Sequence, residues 1–480
     1  MSAEFLKKNQ HLLWRAGFGP SVEQWKQLST VSPFKFYDAL EKASRKPPAP
    51  FQLVSNVVEG LANGIDGLRR SELTKEQKEQ MQKRSRAEIR NLNLEWMNEM
   101  VNSEQQLREK VAFFWHGHFA CRNLNALYQQ DLINIIRRNA LGNFGTMLKE
   151  VSRSAAMLAF LNNQQNRKQK PNENFAREVM ELFTMGRGNY TEQDIKEAAR
   201  AFTGWQFQLN GAFVFRPALH DDGQKTVLGK TGHFDGDDIL NLLLEQRQTA
   251  RYITHKLLRF FVAEQPDLET EEKLAKGFYE SGYEIAPLLR NIFTSDWFYQ
   301  PHYRGNRIKS PVELLVGIKR TLPMELQAPE TVLQLQKVLG QVLFYPPNVA
   351  GWPGGKNWID SSSLMFRLRL PQLLSGKEAL KLRPKSDDDQ EMGRMRPITS
   401  QTGQTARLPD VTINWKPVVA TLAPVHRNQL LEVLQGYLWC GDKRASSLTF
   451  YNEFLDASGR ERYIQTAVLR LMSTPEYQLC

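Results

Sequence analysis

Apolar residues three and four positions apart recur over most of this chain, and that period restricts what it can fold into. At 3.6 residues per turn the spacing gathers one apolar face on a helix, whereas a strand needs strict alternation. Thr191 reads as an N-cap with Asp194 three residues on, followed by Ile195, Ala198, Ala199 and Phe202 in helical register. The same pattern predicts helices over residues 131–139, 250–262, 270–281, 286–293, 311–321 and 460–472. A long helix is expected over 71–103, polar nearly all round at first and then carrying a stripe of Ile89, Leu92, Trp96 and Met100. Only 205–209 and 212–215 read as β, because they flank Asn210-Gly211, a strong hairpin signal.

The expected fold is therefore mainly α: a multi-helix globular domain with a small β-hairpin and long Gly/Asp/Pro-rich motif loops at 218–238 and 344–363. Residues 1–376 are expected to form the helical domain that carries these loops. Residues 377–409 are polar and lack apolar periodicity, which predicts a flexible insertion. Residues 410–480 return to helical patterning and are expected to pack on the main domain.

Composition narrows the function classes. Of 480 residues 41% are apolar and 24% charged, which excludes a wholly disordered chain. No run approaches the roughly 20 apolar residues of a membrane span. The start MSAEFLKKNQHLLWRAGFGPS shows no apolar signal segment, so a cytoplasmic location is expected with export left open. Cys121, Cys440 and Cys480 are odd in number and far apart, which fits a reducing compartment. The net charge of +11 favours an anionic ligand. Its clusters, 167–170 and 304–309, are short and belong to no recognition motif, so no nucleic-acid partner is expected.

Four stretches could carry chemistry. In FFWHGHF, residues 113–119, a helix apolar all round buries His116 and His118, as hydrogen-bonded core residues or, for His118, as a metal ligand. In PNENFAREVMELF the residues Asn174, Arg177, Glu178 and Glu181 share one helical stripe opposite Phe175, Val179 and Leu182. Carboxylates a turn apart suit acid–base work or a cation, with Arg177 orienting one of them; the plainer reading is a salt-bridged solvent face. His220, Asp221 and Lys225 cluster at a turn, and Asp235 follows in GHFDGDD, where it can ligate a divalent cation or cap a helix. Trp352, in GWPGGKNW, can stack on a flat ligand or pin its loop to the body.

Taken in order, HLLWRAGFGPS, FWHGHF, PNENFAREVMELFTMGRGNYTEQDIKEAARAFTGW, HDDGQKTVLG, GHFDGDD, IKSPVEL and PPNVAGWPGGKNWI resemble the bacterial domain-of-unknown-function family 1800, from His11 to about Arg367. The resemblance brings no catalytic residue list. It implies a protein partner, since members are often encoded beside a family resembling alkaline phosphatases and sulfatases, and many members look exported. It also places the family's motif blocks on the polar stripe and the Asp/Gly loops, where binding and catalysis concentrate.

The leading expectation is an enzyme, a metal-dependent hydrolase or transferase acting on carbohydrate or phosphorylated material. Its catalytic residues are expected to be Glu178, Glu181, His220 and Asp221. Arg177, Asn174, Lys225 and Trp352 are expected to bind substrate, and His118 and Asp235 to bind a divalent metal ion. The rival is a non-catalytic assembly protein working with the phosphatase-like partner. Convergence of His118, Glu178 and His220 in one pocket separates the two.

Overall fold

The computed structural model describes residues 3–54, 74–376, 411–441 and 455–480, and the expected insertion at 377–409 lies outside them. The described residues are mainly α, with small two-stranded antiparallel sheets. The helical periods translate directly into elements. Glu192–Ala201 starts on a capping box between Thr191 and Asp194. Ala126–Asn139 begins five residues before the predicted start because Asn125 caps it. The other predicted helices appear as Arg247–Phe261, Leu268–Glu280, Ile285–Phe293, Pro311–Thr321 and Arg460–Met472, and the long one as Lys75–Asn102.

At the centre runs Gln106–His118, in which every residue but Gly117 is buried. It carries charge into the core. Lys110 donates to Glu313 at 2.5 Å with both side chains fully enclosed, and Arg137 clasps Glu109, which also accepts from the Trp96 indole. Burial pushes the Glu313 carboxyl up, but Lys110, Arg307 and the Ser310 amide outweigh it and hold the pKa at about 2. Arg15 is enclosed as well and donates to the carbonyls of Phe261, Val262, Tyr303 and Cys480. These bonds tie the first helix, Ala3–Ala16, to segments some 250 to 465 positions away.

The β content exceeds the single hairpin expected. Trp205–Phe207 pairs with Phe213–Phe215, and Gln208 N–H to Ala212 O closes a three-residue loop with Gly211 at φ +87°. The loop is one residue longer than a simple Asn-Gly turn and puts its glycine in the left-handed position such loops use. Lys225–Val227 pairs with Lys230–Gly232, inside a stretch expected to be irregular. Leu228 and Gly229 both have positive φ there, and the Leu228 amide is held by Asp194 Oδ1 at 2.7 Å. Met324–Leu326 pairs with Val411–Ile413. Three-residue strands are too short to show alternation, so their period is invisible in sequence. Leu430–Leu438 packs on Arg460–Met472 and on Ala3–Ala16. No helix of the described residues is long and apolar enough to cross a membrane.

Candidate functional site

Asn172 caps the short helix Glu173–Glu178, which runs on without a break into a π turn at Val179–Thr184. There the Met185 amide reaches the Met180 carbonyl five residues back, while the Thr184 hydroxyl takes the carbonyl of Val179 at 2.7 Å. Such turns concentrate at functional sites because they re-aim side chains within a helix.

The polar stripe divides on this element. Arg177 donates to Glu192 at 2.7 and 2.9 Å and to Glu173 at 3.2 Å. Its guanidinium is thus claimed by a helical neighbour and a facing helix, and it does not bond the carboxylates it was expected to orient. Asn174 is exposed and donates to the Leu161 carbonyl. Glu181 accepts from the Tyr190 hydroxyl at 2.6 Å, with Arg187 at 3.9 Å. Glu178 is different: it is half-buried, and among the described residues no hydrogen bond or ion pair engages its carboxylate. Burial, and then the charge of Glu181, raise its pKa above the ordinary carboxylate value, against a smaller opposing pull from Arg177.

The final turn of Gln106–His118 abuts this element. His118 Nε2 lies 3.2 Å from the Phe183 carbonyl. A carbonyl can only accept, so Nε2 carries the hydrogen and Nδ1 the lone pair. Nδ1 is buried with no hydrogen-bond partner among the described residues. Burial and the charge of Lys256 hold the His118 pKa well below its usual value, so the ring is neutral. His116 accepts from the Phe344 amide and packs with tilted rings, centroids 5.3 Å apart, against Trp352, which is half-buried and pins its loop rather than standing open. Gly351 has φ +86°, and a Cβ there would come within 2.5 Å of the Gly117 carbonyl. Three motif blocks, FWHGHF, PNENFAREVMELF and GWPGGKNW, therefore meet at one helix end.

Helix Arg247–Phe261 closes the other side. The Tyr252 ring lies against Gly186, whose φ is +78°, and the charge of Glu181 reaches its hydroxyl. Lys256 follows one turn on, partly buried, with its ammonium 5.3 Å from the Tyr252 ring centre. Burial and the like charge of Arg259 push Lys256 down to about 8. A cleft of about 340 Å³ is lined by Gly186, Arg187, Asn189, Tyr252, His255 and Glu271 among others, but not by Glu178, His118 or Lys256. A larger groove of about 1110 Å³, lined by Gln24, Asn98, Lys319 and Trp415 among others, holds none of the residues expected from sequence.

The remaining expected residues lie elsewhere. His220 Nδ1 donates to the Thr203 carbonyl at 2.9 Å, beyond the last residue of Glu192–Ala201, whereas Arg177 binds Glu192, its first. Among the described residues no hydrogen bond, ion pair or ring contact joins His220 to Glu178 or His118. Asp221 is paired with Arg200 at 2.7 Å, and Lys225, fully buried, donates to the carbonyls of Asp221 and Gly223. These three residues hold their own loop together, and no ligand is needed to explain them. Asp235 caps Gly236–Glu245 by accepting from Asp237 N–H and Asp238 N–H. Among the described residues no three His, Cys, Asp or Glu side chains come together in a way that could hold a metal ion. The expected metal ligands His118 and Asp235 thus gain no ligand set.

Sequence reasoning missed Tyr190, Tyr252, Lys256 and Arg259. Tyr252, Lys256 and Arg259 are spaced four and three apart on a predicted helix, a signal that was there to be read. Tyr190 reaches Glu181 only because the chain reverses after Gly186, which no local period records.

No curated protein and no solved structure matches this chain. Residues 11–479 match the sequence model of a family described as a protein of unknown function, DUF1800, and the chain belongs to that family.

Proposed function

We propose that the chain is an enzyme that performs acid–base chemistry, a hydrolase or transferase, at the end of helix Gln106–His118. The observation that carries this reading is the unpaired, half-buried Glu178 carboxylate, raised in pKa beside a Glu181 whose charge is met by Tyr190 and Arg187. Two carboxylates three residues apart in unlike surroundings suit divided roles, one giving up or taking a proton and the other staying charged. Glu178 is the proton donor or acceptor. Glu181 supports it electrostatically, and Tyr190 fixes the position of Glu181. A structural carboxylate at this depth would be expected to hold a cationic partner, and the nearest candidate, Arg177, is bonded elsewhere.

The test is turnover of 4-nitrophenyl phosphate, sulfate and glycosides by the full chain and by Glu178→Gln, with melting temperatures measured alongside. Loss of turnover by about a hundredfold, at an unchanged or higher melting temperature, supports the reading. Equal turnover in both proteins overturns it. A lower melting temperature with no change in any binding or turnover would favour the rival, an assembly protein working with a phosphatase-like partner.

A further inference from the structure

The groove of about 1110 Å³ lies at the start of helix Gln106–His118, whereas the acid–base site lies at its end, about 18 Å along the axis. Segments far apart in sequence build it: the 3₁₀ helix Val22–Gln27, the last turns of Lys75–Asn102 and Pro311–Thr321, and the strand pair Met324–Leu326 with Val411–Ile413. Its lining is rich in amides, from Gln24, Gln27, Asn98, Asn102, Gln106 and Asn414. Asn98 Oδ1 accepts from the Asn102 side chain at 2.7 Å, so the Asn98 nitrogen and the Asn102 oxygen have no bond among the described residues. The Gln27 side-chain amide has none either, and Gln24 and Asn414 use only their oxygens. Donors and acceptors set side by side match hydroxyl groups, each of which also does both. The charges nearly cancel: Glu23, Glu104, Glu325 and Glu461 stand against Lys319, Arg320 and Lys416. Arg320 is already engaged by the carbonyls of Gly19 and Val101. A groove so balanced, in a chain of net charge +11, does not select an anion. Trp415 adds a flat apolar surface. It is half-buried and lines both this groove and a cavity of about 280 Å³ that shares Ile413 with it. Among the described residues no ring packs on the Trp415 indole and nothing bonds its nitrogen.

We propose that this groove binds a neutral oligosaccharide. One sugar ring lays its C–H face on Trp415, and the hydroxyls of neighbouring units bond the amides of Gln27, Asn98, Asn102 and Asn414. The volume exceeds the roughly 300–1,000 Å³ of sites for single small molecules, which suits several sugar units rather than one. The inference goes beyond the acid–base reading and does not depend on it, because no residue of that site lines the groove. It moves the stacking role expected of Trp352, which is pinned against His116, to a tryptophan with no ring partner.

Calorimetric titration of the full chain with maltohexaose, cellohexaose, xylohexaose and chitohexaose tests it, with hexagalacturonate and a glycine–serine hexapeptide as controls. The wild type is expected to bind at least one neutral hexaose saturably below about 10 mM. Trp415→Ala is expected to weaken that binding by about tenfold or more, and Trp415→Tyr to keep it within about threefold. Gln27→Ala and Asn102→Ala together are expected to weaken it about fivefold. Circular dichroism confirms that each variant is folded, and because Gln27 and Asn102 are exposed the double variant tests the groove even where Trp415→Ala fails to fold. Glu178→Gln separates this inference from the acid–base reading: it is expected to bind the hexaose as the wild type does, whether or not turnover survives. Three results overturn the inference: unchanged binding in either folded variant, tighter binding of hexagalacturonate or the peptide than of any neutral hexaose, and no saturable binding of a neutral hexaose by the wild type.

Discussion

The two ends of helix Gln106–His118 handle buried charge in opposite ways. Near its start, Lys110 meets Glu313 and Glu109 meets Arg137. At its far end, among the described residues, the His118 lone pair is unused, Lys256 feels the like charge of Arg259, and no hydrogen bond or ion pair engages Glu178. The paired charges, Lys110, Glu109 and Glu313, are also the fully enclosed ones, whereas Glu178 and Lys256 are only partly buried. A fold that satisfies its central charges at one end has no need to leave them unsatisfied at the other unless something else completes them. Paired buried charge reads as architecture and unpaired buried charge as an unfinished binding site.

The largest effect expected from this contrast is on stability. Glu313→Gln keeps the shape of the side chain but strands Lys110 inside the core, and should lower unfolding free energy by about 3–5 kcal/mol. Glu313 is depressed in the folded state, so its contribution is fully present above the unfolded carboxylate range and is lost as pH falls toward about 2. Denaturant melts at pH 7 and pH 3 measure both, and a loss under about 1 kcal/mol at pH 7 would remove the architectural half of the contrast.

Glu178→Gln should act in the opposite sense. Because the Glu178 pKa is raised in the folded state, its ionised form opposes folding, and that cost disappears as pH drops below the unfolded carboxylate range. The variant should be at least as stable as the wild type at pH 7 and indistinguishable from it in acid, while turnover falls about a hundredfold. A destabilised variant at pH 7 would show a hidden structural partner.

Lys256→Met should stabilise the protein at neutral pH by about 1–2 kcal/mol, since the side chain fits the space and brings no charge. With the folded pKa at about 8, the wild type should close that gap between pH 8 and pH 10, as its own lysine loses its proton more readily folded than unfolded. Thermal melts across that range check the crossing. The smallest effect belongs to Asp235→Ala, which removes a cap and should cost about 1 kcal/mol without changing any ligand affinity. A measurable change in divalent-cation binding would return Asp235 to a ligand role.

The mainly α fold is legible in the sequence. The helical period placed the main helices, the family resemblance marked the motif blocks, and FFWHGHF announced a buried helix end. The polar stripe also pointed to Glu178 and Glu181. The misassignments share a cause: sequence shows which polar residues are near one another along the chain but not which ones have already been claimed. Arg177 looks free until Glu192 arrives from the next helix, and Asp221 and Lys225 look like ligands until Arg200 and two carbonyls take them. The same blindness hid Lys256, whose significance is the partner it lacks.

The π turn at Val179–Thr184 amounts to a surplus of one residue in a helix. A π turn uses about one residue more than an α turn, so everything past Met185 is rotated by roughly a hundred degrees from where an uninterrupted helix would leave it. Deleting any single residue between 179 and 184 would let the α pattern close, carry the Phe183 carbonyl away from His118, and swing Gly186 off the Tyr252 ring. A deletion that leaves both Glu178 and Glu181 in place would still break the contacts this element makes with His118 and Tyr252. In that sense the site is held by a count, and its most vulnerable feature is the length of the chain at this point rather than any one chemical group.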